Sequence, residues 1–181
     1  PNVDTEVASN TLSLGINSYT DLAGNNGPAA DATPNYEVDT LAPSGTFSFT
    51  DYLFESGDTA TVTLVFNEVV VDFSSADDIT VPNLDNGTTP SGTLAAMTSS
   101  DNITWSSTFT PTFPNTQDWD NTLSLGTNYT DVENNPGTAA TSPNYMVDDI
   151  HPSTNGVPIL TLSSQLLLYG QTAELRVVFP E

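Results

Sequence analysis

Apolar and polar residues alternate with period two along several stretches of this chain. Ala60, Val62, Leu64 and Phe66 alternate with Thr59, Thr61 and Thr63. Ala173, Leu175, Val177 and Phe179 alternate with Glu174 and Arg176. Ile103, Trp105 and Phe109 share one face, while Thr104, Ser106, Thr108 and Thr110 take the other. Leu123 with Leu125, and Leu12 with Leu14, make shorter versions. Alternation of this kind predicts strands with one buried and one wet face. No stretch keeps a helical period. Turn-forming words separate the apolar runs: "ESGD" at 55–58, "LDNG" at 84–87, "SSDN" at 99–102 and "ENNPG" at 133–137. Strands are expected near 44–49, 59–66, 78–82, 91–96, 103–110, 121–125 and 142–147. That density of short strands predicts an all-β fold, an antiparallel β-sandwich.

The chain also repeats itself. "NTLSLGINSYTDLAGNNGPAADATPNYEV" begins at Asn10, and "NTLSLGTNYTDVENNPGTAATSPNYMV" begins at Asn121. Tyr36 aligns with Tyr145. A second pair follows, "SGDTATVTLVFNE" from Ser56 and "YGQTAELRVVFPE" from Tyr169. The period is about 110 residues, the size of one small domain. The phase predicts three units. Residues 1–38 read as the C-terminal strands of a partial repeat, 39–147 as a complete repeat, and 148–181 as the N-terminal strands of another partial repeat. The chain begins with Pro1 and shows no signal peptide, so it reads as a piece of a longer polypeptide.

The words "DTATVTLVFNEVV", "ITWSSTFTPT", "YTDLAGNNG" and "YEVDTLAPS" resemble bacterial immunoglobulin-like tandem repeats of giant surface adhesins and biofilm-associated proteins. The resemblance covers almost the whole chain. It implies an immunoglobulin-like sandwich and an extracellular, cell-surface location. It also implies a non-enzymatic spacer role in cell adhesion, often calcium-dependent. One copy departs from the pattern: Asn134 stands where the other has Gly24, which puts that turn in question.

Charge narrows the function classes. Lys and Arg together number 1, against 23 Asp and Glu, for a formal net charge of -22. Nucleic acid needs a basic face to neutralise phosphates, so it is excluded as a partner. Docking on anionic lipid is disfavoured for the same reason. No apolar run reaches membrane-spanning length, and membrane insertion is not expected. With no cysteine there is no disulfide framework and no thiolate metal site. High charge alone would suit a disordered chain, but the strand periodicity argues for a packed one.

An immunoglobulin-like strand order would gather distant acids at two poles. The incoming pole would hold Asp39, Glu68, Asp101, Asp131 and Asn135. The outgoing pole would hold Glu55 and Asp58 of one turn, Asp118 and Asp120 of the turn before the sixth strand, and Asp148 and Asp149 of the next linker. Asp21 and Asn25 repeat the motif of Asp131 and Asn135 in the first copy, where Asp4 and Glu6 precede them. Carboxylates gathered without Lys or Arg partners are costly unless a cation binds. Hard oxygen ligands select Ca²⁺ over transition metals, and Mg²⁺ prefers to keep its waters. Ca²⁺ at the junctions between repeats is therefore the expected cofactor. The alternative is that these aspartates only cap turns or sit solvated. The loop "DLAGNNGPAAD" is no EF-hand, since its glycines fall at the wrong places.

Enzymatic chemistry is not expected. His151 is the only histidine and lies beside Pro152 in a linker. Without Cys or Lys most nucleophile–base pairs are ruled out. Trp105 falls on an apolar strand face and is expected in the core, Trp119 in a loop. Arg176 falls on the wet face of its strand, and the glycosylation-like triplets at Asn86, Asn102 and Asn128 carry little weight in so Asn- and Thr-rich a chain. The expected function is a structural extender, or stalk, of a long extracellular repeat protein. Its partners would be neighbouring repeats or neighbouring subunits, with any cell-surface or glycan ligand elsewhere in the full protein. Two alternatives remain open. One is a subunit of an extracellular filament completed by strands of neighbouring chains. The other is a carbohydrate-binding module, for which Trp119 and Tyr52 are the candidate aromatics.

Overall fold

A computed structural model describes residues 4–85, 87–113, 117–150 and 157–179. His151 and Asn86 lie outside these described residues. The chain opens with a ribbon of β1 (Glu6–Asn10) and β2 (Tyr36–Asp39). There follow β3 (Gly45–Phe49), β4 (Leu53–Phe54), β5 (Ala60–Phe66) and β6 (Val70–Val71). One helical turn, α1 (Ser75–Asp78), leads into β7 (Ile79–Thr80), β8 (Gly92–Leu94) and β9 (Thr104–Pro111). Then come β10 (Gln117–Asn121), β11 (Ser124–Leu125), β12 (Thr130–Asp131), β13 (Ala140–Thr141) and β14 (Tyr145–Asp148). A last ribbon joins β15 (Ile159–Leu162) to β16 (Leu175–Val178).

The order β3-β5-β9-β8 forms one antiparallel sheet, and β13-β11-β7 forms the facing one. With β3 as strand A these are the ABED and GFC sheets of an immunoglobulin-like sandwich. The chain runs of strands F and G are each interrupted. Their other halves, β10 and β14, pair with each other, and β14 adds β4 in parallel.

Alternation decides the core. In β5, Ala60, Val62, Leu64 and Phe66 are all buried, and the threonines between them face outward or are half-buried. Phe47 and Phe49 lie beside them on β3. Ile79 of β7 and Leu125 of β11 close the core from the second sheet, with Leu123 and Tyr129 beside that strand run and Tyr145 and Val147 on β14. Each such apolar side chain contributes about 1.5–3 kcal/mol on full burial. Phe109 binds the layers, with ring centroids 5.7 Å from Phe54 and 5.1 Å from Tyr145. Tyr145 donates to or accepts from Ser91 Oγ at 2.7 Å, and burial pushes its phenol up to about 12. Trp105 packs partly buried against the core, 4.9 Å from Phe73.

The repeat visible in the sequence recurs in the registers. Glu6 opposes Asp39 and Asn10 opposes Tyr36, while Gln117 opposes Asp148 and Asn121 opposes Tyr145. Both ribbons carry an irregularity at the same place, and an Asn side chain holds it. Asn10 Nδ2 donates to Val7 O and Tyr36 O, and Asn121 Nδ2 to Asp118 O and Tyr145 O. At the other end, Leu160 opposes Val177 as Phe47 opposes Leu64. The environments differ. Leu64 is fully buried, whereas Val177 is 42% exposed and Leu160 64%.

Three expectations are corrected. Strands are more numerous and shorter than expected, because the runs at 121–125 and 142–147 belong to interrupted strands. Asp118 and Asp120 are not in a turn but in β10. The apolar alternation at Leu123 and Leu125 marks only half of that strand. In the other half the inward position is taken by Asp118, whose carboxylate accepts from Asp85 N at 2.8 Å. Trp119 accordingly sits on a strand, not in a loop.

Candidate metal centre

Asp131 begins a tight loop built on its own side chain. Its Oδ1 accepts from Glu133 N and Asn135 N, at 2.9 and 2.8 Å. Its Oδ2 accepts from Asn135 Nδ2 at 2.7 Å. The turn needs left-handed backbone at Asn134, whose φ is 67°. Asn tolerates this conformation because its short side chain can bond locally. The first copy makes the same loop. Asp21 Oδ1 accepts from Ala23 N and Asn25 N, Asn25 Nδ2 donates to Asp21 Oδ2, and Gly24 has a φ of 86°. The exchange of Gly for Asn therefore leaves the turn intact. In the exposed copy, the bonds from Asn25 hold Asp21 below the usual carboxylate range.

Pairing then carries this loop to the linker. β12 lies against β6, with Asp131 opposite Val70, next to the turn that bears Glu68. Thr40 N donates to Thr5 O at 2.8 Å, tying the linker to β1. Asp39 ends β2 and caps the linker, its Oδ1 accepting from Leu41 N at 2.9 Å. Asn135 Nδ2 reaches back to Asp39 O at 3.4 Å. Tyr129 fixes the far side of the loop. Its hydroxyl donates to Thr138 O at 2.7 Å and reaches Pro43 O at 3.2 Å. Its ring lies where a Cβ on Gly137 would fall, so only glycine fits there.

One carboxylate oxygen from each of Asp39, Asp131 and Glu133 lies within 4.8 Å of the others. Asp131 is fully buried, Asp39 half-buried and Glu133 exposed. Glu68 is pushed up from its ordinary range by desolvation, then by the charges of Asp131, Asp39 and Glu6. Glu133 is pushed up by desolvation and by Asp39, Asp131 and Glu37. The chain's single Lys or Arg is Arg176, on β16 opposite Thr161.

The donor set is all oxygen. Two oxygens held by one Ca²⁺ at about 2.4 Å can lie at most about 4.8 Å apart. The three carboxylates meet that limit, and the carbonyls of the loop and linker are the kind of oxygen that completes such a shell.

A model of the bacterial Ig-like domain family matches residues 39–147, more than half of the chain. The chain belongs to the bacterial Ig-like domain family. No curated protein and no solved structure matches it significantly. In this bacterial Ig-like domain the F–G loop carries Asp131, Glu133 and Asn135, and Asp39 ends the strand that leads into the domain.

The other sequence candidates fall elsewhere. Asp101 caps its own turn, accepting from Ser99 Oγ, Ile103 N and Thr104 N, which hold it below the usual range. Glu55 and Asp58 close the turn before β5, with Asp58 Oδ2 accepting from Glu55 N. Asp148 accepts from Gln117 Nε2 and Ile150 N, and Asp149 follows it half-buried. Among the described residues, only Asp39, Asp131 and Glu133 form a three-acid group at metal-ligand spacing. The expectation of a second, outgoing cluster finds no such geometry there. Glu133 was missed in the sequence because its counterpart in the first copy is Ala23. The signal that points to it is its place two residues after Asp131, inside the same loop.

Proposed function

We propose that this bacterial Ig-like domain is a non-catalytic extender segment of a long extracellular, adhesin-type repeat protein. Ca²⁺ bound by Asp39, Asp131 and Glu133 stiffens its first junction. The observation that carries this is the meeting of Asp39, at the end of β2, with two carboxylates of the following domain's F–G loop. A cation there joins the ribbon of the preceding unit to the domain and removes the swing that a free linker would allow. Burial of Asp131 and the upward push on Glu68 both support a positive charge at this place, since a cation would relieve their repulsion.

The test is to melt the protein and measure its length by small-angle scattering, with Ca²⁺ and with chelator. Ca²⁺ raises the melting temperature and lengthens the particle, and Glu133→Gln weakens both effects. Identical melting and identical scattering in the two conditions would sink the proposal. Titration with Mg²⁺ over the same range is expected to give a smaller effect, because Mg²⁺ releases its waters reluctantly.

A further inference from the structure

The outer face of the β10-β14-β4 sheet carries an apolar row whose two ends are exposed. Met146 opposes Leu53, and the irregularity in β10 sets Trp119 and Asp120 together beside Met146. The inward residues of these strands are Phe54, Tyr145, Val147 and Asp118, all buried. On the outward side Trp119 is 51% exposed and Leu53 44%, with Met146 half-buried between them. Single exposed apolar residues are ordinary, but a row across three strands is a patch.

The fold does not require this row. In the first copy the same ribbon has Ala8 where Trp119 stands and Glu37 where Met146 stands. Its rim is also one-sided in charge. Asp51, Glu55 and Asp120 are exposed around it, and Asp148 ends β14. The Asn144 amide, the nearby neutral donor, is used on Trp119 O at 2.6 Å. What the rim offers a partner is therefore acceptors and negative charge.

We propose that this face docks an extended segment of another polypeptide in which Arg or Lys alternates with apolar residues. The indole face takes a cation by its quadrupole, and the carboxylates around it add charge complementarity. The apolar positions of the partner would cover Met146 and Leu53. A second copy of this chain does not fit, because it has one Lys or Arg in all. A neutral sugar would gain the ring contact and no charge term from the rim.

The experiment is calorimetric titration of the whole chain at physiological ionic strength with a short Trp-free peptide alternating Arg and Leu. The same peptide with Glu for Arg is the control. Binding is expected for the first and not the second. Trp119→Ala and Leu53→Ser each weaken it about tenfold or more, as truncation of an interface anchor does, with melting unchanged. Asp77→Asn, an exposed acid on α1 outside this sheet, leaves affinity within about twofold. Three results overturn the proposal. One is binding weakened no more by Trp119→Ala than by Asp77→Asn, which would mean attraction to the overall charge. Another is Trp119-dependent binding of cellohexaose with none of the peptide. The last is Trp119-dependent dimerisation in sedimentation.

Discussion

At the residue scale, two positions show how sequence and backbone agree. Asn134 and Gly24 hold the same left-handed turn in two copies of one loop. Asn134→Gly is therefore expected to change stability by a few tenths of a kcal/mol. Asn134→Val should cost about 1–2 kcal/mol, because a β-branched residue there is strained. Chemical denaturation of both variants checks this. The ionisable residues make a prediction of opposite signs. Glu68 and Glu133 are raised in the folded state, so the native protein binds their protons more readily than the unfolded chain. Without metal, their effect on stability grows more favourable as pH falls through that raised range, and is lost as pH rises through it. Asp21 and Asp101 are lowered, so they stabilise above the ordinary carboxylate value and that support is lost on further acidification. In chelator the melting temperature should rise from neutral pH, pass a maximum and fall. The double variant Glu68→Gln, Glu133→Gln should flatten the rise. An unchanged rise in that variant would contradict this assignment.

At the element scale, one hairpin appears twice in one register with different surroundings. β3–β5 is covered by the second sheet, and β15–β16 is exposed at every residue of both strands. Leu64→Ala should cost about 2–5 kcal/mol, while Val177→Ala at the equivalent position should stay within about 0.5 kcal/mol. Equilibrium unfolding followed by a core probe such as Trp105 distinguishes them. The alternation that predicts both hairpins is the same, because it reports which face prefers burial, not whether anything covers it. β10 shows the reverse case. It pairs well, yet its inward position is Asp118, and apolar alternation could not mark it.

At the scale of the whole molecule, stability is uneven. Amides of β5 and β9, central in the four-stranded sheet, should exchange slowest, and those of β15 and β16 fastest. Hydrogen exchange by mass spectrometry on the intact chain measures this. Added Ca²⁺ should extend protection to the β1–β2 ribbon and residues 39–41 if the junction is locked. Local patterning by itself determined the strand faces, the repeat and its period, the excess of acid and the absence of cysteine chemistry. These depend on near neighbours or on composition, which a linear sequence displays directly. The sequence placed Asp39 and Asp131 at one pole through an assumed strand order, but their spacing and the arrival of Glu133 depended on tertiary structure. So did the retirement of Asp101 into its own turn, the inward aspartate of β10 and the row from Trp119 to Leu53. All but the Asp101 turn, which is local, depend on strand pairing between residues far apart in the chain. A carboxylate reads the same in one dimension whether it serves only its own turn, as Asp101 does, or serves a turn and also faces other carboxylates, as Asp131 does.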